Sequence, residues 1–385
     1  MTWSVLTHNV CADTGKQREE AGSLAALGMT DQKYKSKSRS SLTHKLATAL
    51  TMTLLATTPL AKAVTPPLML YTTTHPAMGT EFTLYLYSAD PASAAETSEE
   101  VFDEVDRIEQ LLSNYRDSSE LSRINQNAAA SPVTTDPEML DFLTQSEHWS
   151  RASDGAFDIT VGRLMKAWGF YRHSGHIPPD AELQQLRAAT GWEKVQLDPA
   201  ARTVRFTSPG VELDPGGIGK GFAVDAAVRI LRAQHVVAAM LSAGSSTLYA
   251  LGAPPNLDGW RIVVPGPLPS HDSLSVITLR DTSLSSADCS EKNFTVAGHL
   301  YCHIMDPRTM RPVEGRTQVS IVDPSATASD ALSNVIFVQA PGQSVQTLQK
   351  YAPEARALIV SSDAGHSHCT IFHWGVPLDT THCPL

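Results

Sequence analysis

Basic residues are in the minority in this chain: 30 Lys and Arg stand against 40 Asp and Glu, for a net charge of −10 and a pI near 5.8. That balance argues against a protein that wraps nucleic acid or lies on an anionic membrane, since both need a basic face. Small-molecule or protein substrates fit better. A long apolar run is also missing. The most apolar segment, residues 46–60 "LATALTMTLLATTPL", falls short of the roughly 20 residues that cross a bilayer comfortably. No internal repeat and no low-complexity linker divides the chain. With 42% hydrophobic and 18% charged residues over 385 positions, the composition is that of a globular protein with a large core, and the part beyond the N-terminal region reads as one compact, two-lobed unit.

The short apolar run has a telling setting. Residues 33–45, "KYKSKSRSSLTHK", are basic, and Ala61, Lys62 and Ala63 supply the small-x-small pattern at which signal peptidase cuts. The expectation is a leader over residues 1–63, in which 1–28 are an over-called start, Met29 begins the signal peptide and Val64 is the mature N-terminus. Export would put the protein in the periplasm or on the outer face of the cytoplasmic membrane. No cysteine stands at the cleavage point, so no lipid anchor is indicated. Beyond the leader lie Cys289, Cys302, Cys369 and Cys383, which can pair after export; Cys369 with Cys383 would close a short C-terminal loop, although sequence does not fix the pairing. Residues 365–385 form a tail in which His366, His368, His373 and His382 accompany two of these cysteines without regular metal-ligand spacing. A stapled or solvated tail is the expectation there.

From residue 64 to 364 the pattern is that of a single domain. "EFTLYLY" (81–87) alternates Phe82, Leu84 and Leu86 with Thr83, Tyr85 and Tyr87, the period of a half-buried strand. Residues 93–113 place Phe102, Val105, Ile108 and Leu112 at helical spacing. Asp136–Pro137 is a helix start, with an N-cap followed by the residue suited to the first turn. Residues 171–190 read as an insertion or a short helical loop. Strands are predicted at 194–197, 202–206, 236–242, 260–264, 275–279, 300–305 and 317–322, with helices at 220–234 and 328–340. Short strands that follow one another, with a few helices between, indicate an α+β fold with a largely antiparallel or mixed sheet and packed helices.

Four constellations carry chemistry. "LDPGGIGKGFAVD" (213–225) leads from a strand-like residue into a helix, and its glycines and Lys220 suit an anion. It is neither of two familiar nucleotide loops. A P-loop needs Gly where Asp214 stands and Ser or Thr where Gly221 stands, and the dinucleotide fingerprint fails at Phe222. The second is "HPAMGTEF" (75–82), a turn before a strand. The third is "SDGAFDITVGRLMKAWGF" (153–170), with Asp158 and Thr160 beside a glycine turn. The fourth couples "HIMDPRTMRP" (303–312) to "SDALSNVIFV" (329–338), where Asp330 and Asn334 are i and i+4 near a helix start, so that their oxygens face one way. A hard cation such as Mg²⁺ takes a few such oxygens together with phosphate and water.

In this order and spacing the chain resembles the ApbE family, the FAD:protein FMN transferases, from about residue 71 to 340. The family's M-G-T turn appears as Met78–Gly79–Thr80, its S-x-Y segment as Ser113–Asn114–Tyr115, and G-x-F-D-x-T-V-G as Gly155 to Gly162. D-x-G-G-I-A-K-G-Y-A-V-D appears as Asp214 to Asp225, H-I-x-D-P-x-T-G-x-P as His303 to Pro312, and D-A-L-S-T as Asp330 to Asn334.

The resemblance implies an ApbE-like fold and an enzyme that moves FMN from FAD to a Thr or Ser hydroxyl of an acceptor flavoprotein, with AMP released. The partner would carry a pattern near Asp-x-Ser/Thr-Gly-Ala-Ser/Thr and could bring the enzyme to the inner membrane. Met78, Tyr115, Ala156, Phe157, Asp158, Asp214, Lys220 and Ile304 would line the flavin nucleotide. Mg²⁺ would be held by the backbone oxygen of Gly217 and the side chains of Asp330 and Asn334. His303 would take the hydroxyl proton, because an imidazole titrates near neutral pH.

Several positions depart from the family pattern. Asn334 replaces Thr, "SAGSSTLYALG" (242–252) replaces N-A-G-G-D, Ala287 stands for Gly in "LSSADCS" (284–290), and Met310 replaces the glycine of the D-P-x-T-G turn. These leave two other readings open: hydrolysis of FAD to FMN and AMP at the same site, and an exported flavin-binding protein without turnover.

Overall fold

A tight turn starts the fold. Met78 and Gly79, at φ 51° and 72°, form the two-residue loop between strands β1 (Met69–Ala77) and β2 (Thr80–Ser88). Two positive φ values in such a loop give a twist that matches the flanking strands. The computed structural model describes residues 66–172, 174–266, 273–289, 292–363 and 366–379. The expected leader, its cleavage point and Cys383 lie outside these residues.

Helix α1 (Pro91–Leu112) opens on the Asp90 cap, whose carboxylate accepts from Ala92 and Ser93, and buries Val101, Phe102, Val105, Ile108 and Leu112. Then come α2 (Glu120–Asn127), β3 (Val133–Thr134), α3 (Pro137–Ala152) behind its Asp136 cap, α4 (Gly162–Ala167), α5 (Asp180–Arg187), β4 (Val195–Asp198) and β5 (Thr203–Phe206). Helix α6 (Gly219–Ala233) follows the glycine loop. It leads to β6 (Ala238–Ala243), β7 (Thr247–Gly252), the hairpin of β8 (Trp260–Pro265) with β9 (Ser273–Leu279), and β10 (Thr282–Asp288). The small ribbons β11 (Asn293–Val296) with β12 (His299–Cys302) and β13 (Met305–Asp306) with β14 (Arg311–Pro312) come next. The chain continues with β15 (Arg316–Asp323), α7 (Ala326–Val338), α8 (Pro341–Tyr351), β16 (Arg356–Asp363) and β17 (His366–Phe372).

The main sheet runs β1-β2-β6-β7-β10-β15-β16-β17, and each adjacent pair is antiparallel. It is covered on both faces. Ala239, Leu241, Val319 and Ile321 join the side chains of α1, α6 and α7 in one core. Their neighbours Ala238, Met240, Leu248 and Leu284 meet Trp260, Ile262 and Ile277 of the β8–β9 hairpin and Trp374 in a second. This is the expected α+β architecture.

Three expectations change. The strand predicted at 300–305 is broken: β12 ends at Cys302, β13 begins at Met305, and His303 lies in the bend between them. Residues 366–372, expected to belong to a tail, form β17, and the following Trp374 is buried in the second core. Their apolar content is small, but β17 is paired along its whole length to β16. Among the cysteines, Cys289 is joined to Cys302 with Cα atoms 5.1 Å apart. Cys369 is also disulfide-bonded, while its expected partner Cys383 falls outside the described residues.

Candidate active site

The glycine loop is held from both ends. Before it, Leu213 and the Asn125 side chain bond reciprocally, Leu213 N–H donating at 2.8 Å and Asn125 Nδ2 donating back at 3.0 Å. Asp214 then accepts from the Gly216 N–H at 2.8 Å and, on its other oxygen, from the Tyr171 hydroxyl at 2.7 Å. Helix α6 begins at Gly219, so Lys220 sits in its first turn. Gly221 is there for a steric reason. A Cβ on it would lie 2.2 Å from the Ala326 carbonyl oxygen and 2.7 Å from Asp330 Cβ. Glycine lets α6 and α7 approach closely enough for the Gly221 N–H to donate to Asp330 Oδ2 at 2.9 Å.

Asp225, the last residue of the glycine motif, braces the same two helices. Its carboxylate accepts from the Ala326 and Thr327 N–H groups at 2.8 and 2.9 Å and from the Ser325 and Thr327 hydroxyls, each at 2.7 Å. An acid at these unpaired N–H groups also complements the helix dipole.

Asp330 is not at an exposed helix start, as expected, but on the second turn of α7 and only 4% exposed. Its burial comes from β10, whose Ser283 and Ser285 hydroxyls bond to Ser329 at 2.8 and 2.7 Å and let α7 lie on the strand. Burial pushes the Asp330 carboxyl above its usual range, opposed by the charge of Lys220 and by bonds from Gly221 and Thr247. Asn334 Nδ2 donates to the Gly217 carbonyl at 3.2 Å and to the Asp330 carbonyl at 3.1 Å. A half-turn of that amide places Oδ1 beside the Gly217 oxygen. Asp330, Asn334 and Gly217 thus offer one carboxylate and two neutral oxygens, donor types that fit Mg²⁺ completed by water and phosphate.

His303 packs edge-on to Phe170 at 6.5 Å. Its Nδ1 lies 3.0 Å from the Lys292 carbonyl oxygen, which also takes the His303 backbone N–H at 3.1 Å. A carbonyl cannot donate, so Nδ1 carries a proton.

A cleft of about 620 Å³ brings these groups together, lined among others by Met78, Tyr115, Ala156, Phe157, Asp158, Asp214, Gly217, Lys220, His303, Ile304 and Asn334. A small annex of about 40 Å³ adjoins it and adds Asp330, sharing Lys220, His303, Ile304 and Asn334 with the main cleft. Every residue expected to line the flavin nucleotide, hold the metal or take the proton therefore borders the cleft or its annex. Their contributions differ. The Asp158 carboxylate turns inward to Thr160, Trp192 and Ser150, and burial raises its pKa against those bonds. It fixes the shape of the glycine turn and leaves the backbone around Ala156 and Phe157 to face the cleft. Tyr115 is 69% exposed, and its ring lies 5.0 Å from that of Tyr171.

Tyr171 was missed in the sequence, where 171–190 read as an insertion or a short helical loop, and α5 is that helix. It accepts from Asn114 Nδ2 and donates to Asp214, joining the Ser113–Tyr115 segment to the glycine loop. Burial, followed by the Asp214 charge, raises its pKa. The aromatic run Trp168, Phe170, Tyr171 was a signal against a solvated loop.

Comparisons with known proteins agree with this geometry. The ApbE family model matches residues 78–359. A FAD:protein FMN transferase of Chlamydia muridarum is 30% identical over 235 residues, covering 60% of this chain and 72% of that protein. The Escherichia coli K12 protein of the same name is 26% identical over 301 residues, covering 76% and 84%. Among solved structures, the ApbE protein of Thermotoga maritima superposes with a TM-score of 0.71 at 28% identity, covering 78% of this chain and 96% of its own. The flavin transferase ApbE of Vibrio cholerae, at 24% identity and TM-score 0.71 over 80% and 98% of the two chains, shares the fold. A glycine loop tied to Tyr171, two helices locked at Gly221 and a single cleft bordered by all six motifs thus belong to a member of the ApbE family.

Proposed function

We propose that this protein transfers FMN from FAD to a Thr or Ser hydroxyl of an acceptor protein, with AMP as the other product. The observation that carries this reading is that Lys220, Gly217, Asn334 and His303 border one cleft and Asp330 its annex, with the His303 Nδ1 proton committed to Lys292. The acceptor oxygen bonds to the phosphorus of the FMN half. The bond from that phosphorus to the bridging oxygen breaks, the electron pair leaves with AMP, and the hydroxyl proton passes to His303 Nε2. Lys220 and the N–H groups at the start of α6 meet the diphosphate charge. Mg²⁺ held by Gly217, Asp330 and Asn334 would supply further neutralisation of that charge. Asp214 and Tyr171 hold the loop in shape, while Tyr115 offers an aromatic face.

Export of the chain and action outside the cytoplasmic membrane belong to the same proposal. The basic segment and apolar run before Ala63 support them, and N-terminal sequencing of the secreted protein tests them.

The decisive assay incubates the protein with FAD, Mg²⁺ and a peptide carrying Asp-x-Thr-Gly-Ala-Thr, followed by mass analysis. The expected result is a peptide bearing FMN, lost on chelation. FMN and AMP without a labelled peptide would assign hydrolysis; bound FAD without turnover would assign a binding protein. His303→Ala should keep FAD affinity and lose labelling by roughly 10²–10⁴-fold, the range of general base catalysis. Undiminished labelling would end its role.

A further inference from the structure

The residue that orients His303 is itself carried on a weak element. Lys292 precedes β11, and the register of the β11–β12 ribbon pairs Asn293 with Cys302, which sets Lys292 opposite His303. Among the described residues the ribbon has two strands and no third, and Asn293, Thr295, Val296, His299 and Leu300 are exposed. Its apolar anchorage is Phe294 and Tyr301, stacked 5.2 Å apart and leaning on Phe170 and Trp168 at 5.4 and 5.7 Å. Isolated two-stranded ribbons are marginal in water. Yet the Lys292 carbonyl takes hydrogen bonds from both the His303 ring and its backbone N–H.

The Cys289–Cys302 bond closes this ribbon at its base. Cys289 follows the last residue of β10, a strand of the main sheet, and Cys302 is the residue before His303. The Asn293 side chain also donates to the Cys289 carbonyl at 2.6 Å. The covalent link therefore ties the segment carrying Lys292 and the residue beside His303 to the rigid sheet that supports the annex. Asp288, on the other side of Cys289, lines that annex.

We propose that the Cys289–Cys302 disulfide is a positioning device for His303: it holds the Lys292 carbonyl on Nδ1 and so keeps the ring in the tautomer and place needed to accept the acceptor's proton. This rests on the transfer reading above. Both cysteines are positioning residues and touch neither substrate nor phosphate.

The test is the double variant Cys289→Ser with Cys302→Ser, which leaves the Cys369 bond intact, as treatment with a dithiol would not. At saturating FAD its kcat for peptide labelling should fall roughly ten- to a hundredfold, the scale of a small misplacement of a reacting group, with FAD affinity unchanged. In a His303→Ala background, removing the disulfide should cost no further labelling. Equal labelling with and without the bond, or a loss that persists in the His303→Ala background, would overturn the proposal. Hydrogen exchange supplies a readout that needs no acceptor. The His303 amide, which donates to Lys292, should lose protection in the double variant while β10 and β15 keep theirs; unchanged protection would equally overturn it. Failure of the wild-type protein to label any peptide would instead count against the transfer reading, and the exchange result would still decide the role of the disulfide.

Discussion

Gly221 and Asp330 are locked together across two helices: the Gly221 N–H donates to Asp330 Oδ2 at 2.9 Å, where a methyl group would stand 2.7 Å from Asp330 Cβ. Gly221→Ala must therefore force α6 away from α7. Overpacking of this kind costs ~1–3 kcal/mol, and here it also parts Lys220 from Asp330. Thermal unfolding should shift down and FAD turnover should be lost. Wild-type values of both would mean that the helices have slack.

Tyr171→Phe removes the hydroxyl shared by Asn114 and Asp214 while keeping the ring beside Tyr115. Asp214 retains its bond from Gly216, so the loop persists with one restraint fewer. A lost bond to a charged group is worth ~1.5–3 kcal/mol. FAD affinity should weaken by roughly tenfold, and the melting temperature should fall by several degrees. Titration of FAD fluorescence measures the first and calorimetry the second; unchanged affinity would leave Tyr171 outside the site's support.

Met310 keeps the backbone of the glycine it replaces, at φ 65°, while its side chain is fully buried beside Trp168, whose Nε1 donates to the Met310 carbonyl at 3.1 Å. Two effects compete in Met310→Gly. Relief of the left-handed conformation gains ~1–2 kcal/mol, whereas emptying a buried methionine site costs ~2–5 kcal/mol. The cavity term wins, so urea unfolding should show a less stable variant. A gain in stability would show that the surrounding cluster of Leu164, Phe170 and Leu186 collapses into the space.

Asp323 offers a pH test away from the cleft. Burial first, then the charges of Asp225 and Glu354, raise its pKa above 3.8, against the bond it accepts from the Ser325 N–H. A raised folded pKa means that stability is fully present below the unfolded value and is lost as pH rises through the folded one. Asparagine can accept the same N–H without ionising. Asp323→Asn should thus melt higher than wild type at neutral pH, and the difference should shrink as pH falls to the unfolded carboxyl range. A difference independent of pH would assign it to something other than ionisation.

Elements with one wet face were legible in the sequence. The alternation of β2 and the helical spacing of α1 follow directly from Phe82, Leu84, Val105 and Ile108. Among the central strands, β6 and β15 were predicted at 236–242 and 317–322, whereas β7 and β10, covered on both faces, were not. In β10 "TSLSSAD" three of the buried positions, Ser283, Ser285 and Ser286, are serines that bond to α7 and β15. A polar residue with a partner inside the core carries no hydrophobic period. For the same reason the spacing of Asp330 and Asn334 revealed their common direction but not the depth of Asp330. The Cys289–Cys302 pairing was equally hidden, since the C-terminal cysteines have a similar spacing and only the fold of the ribbon distinguishes them.

The pairing of β2 with β6 brings Phe82 opposite Ala243, and the cleft itself runs from Met78 to Val338. During synthesis the N-terminal hairpin must wait for a partner strand more than half the domain away, and the pocket has no wall on the α7 side until that helix has left the ribosome. Chains dominated by such distant contacts fold slowly, because loop closure is costly before any contact rewards it. Flavin binding can therefore follow folding but cannot template its early steps, and FAD added to a refolding chain should raise the final yield by mass action without accelerating the first phase.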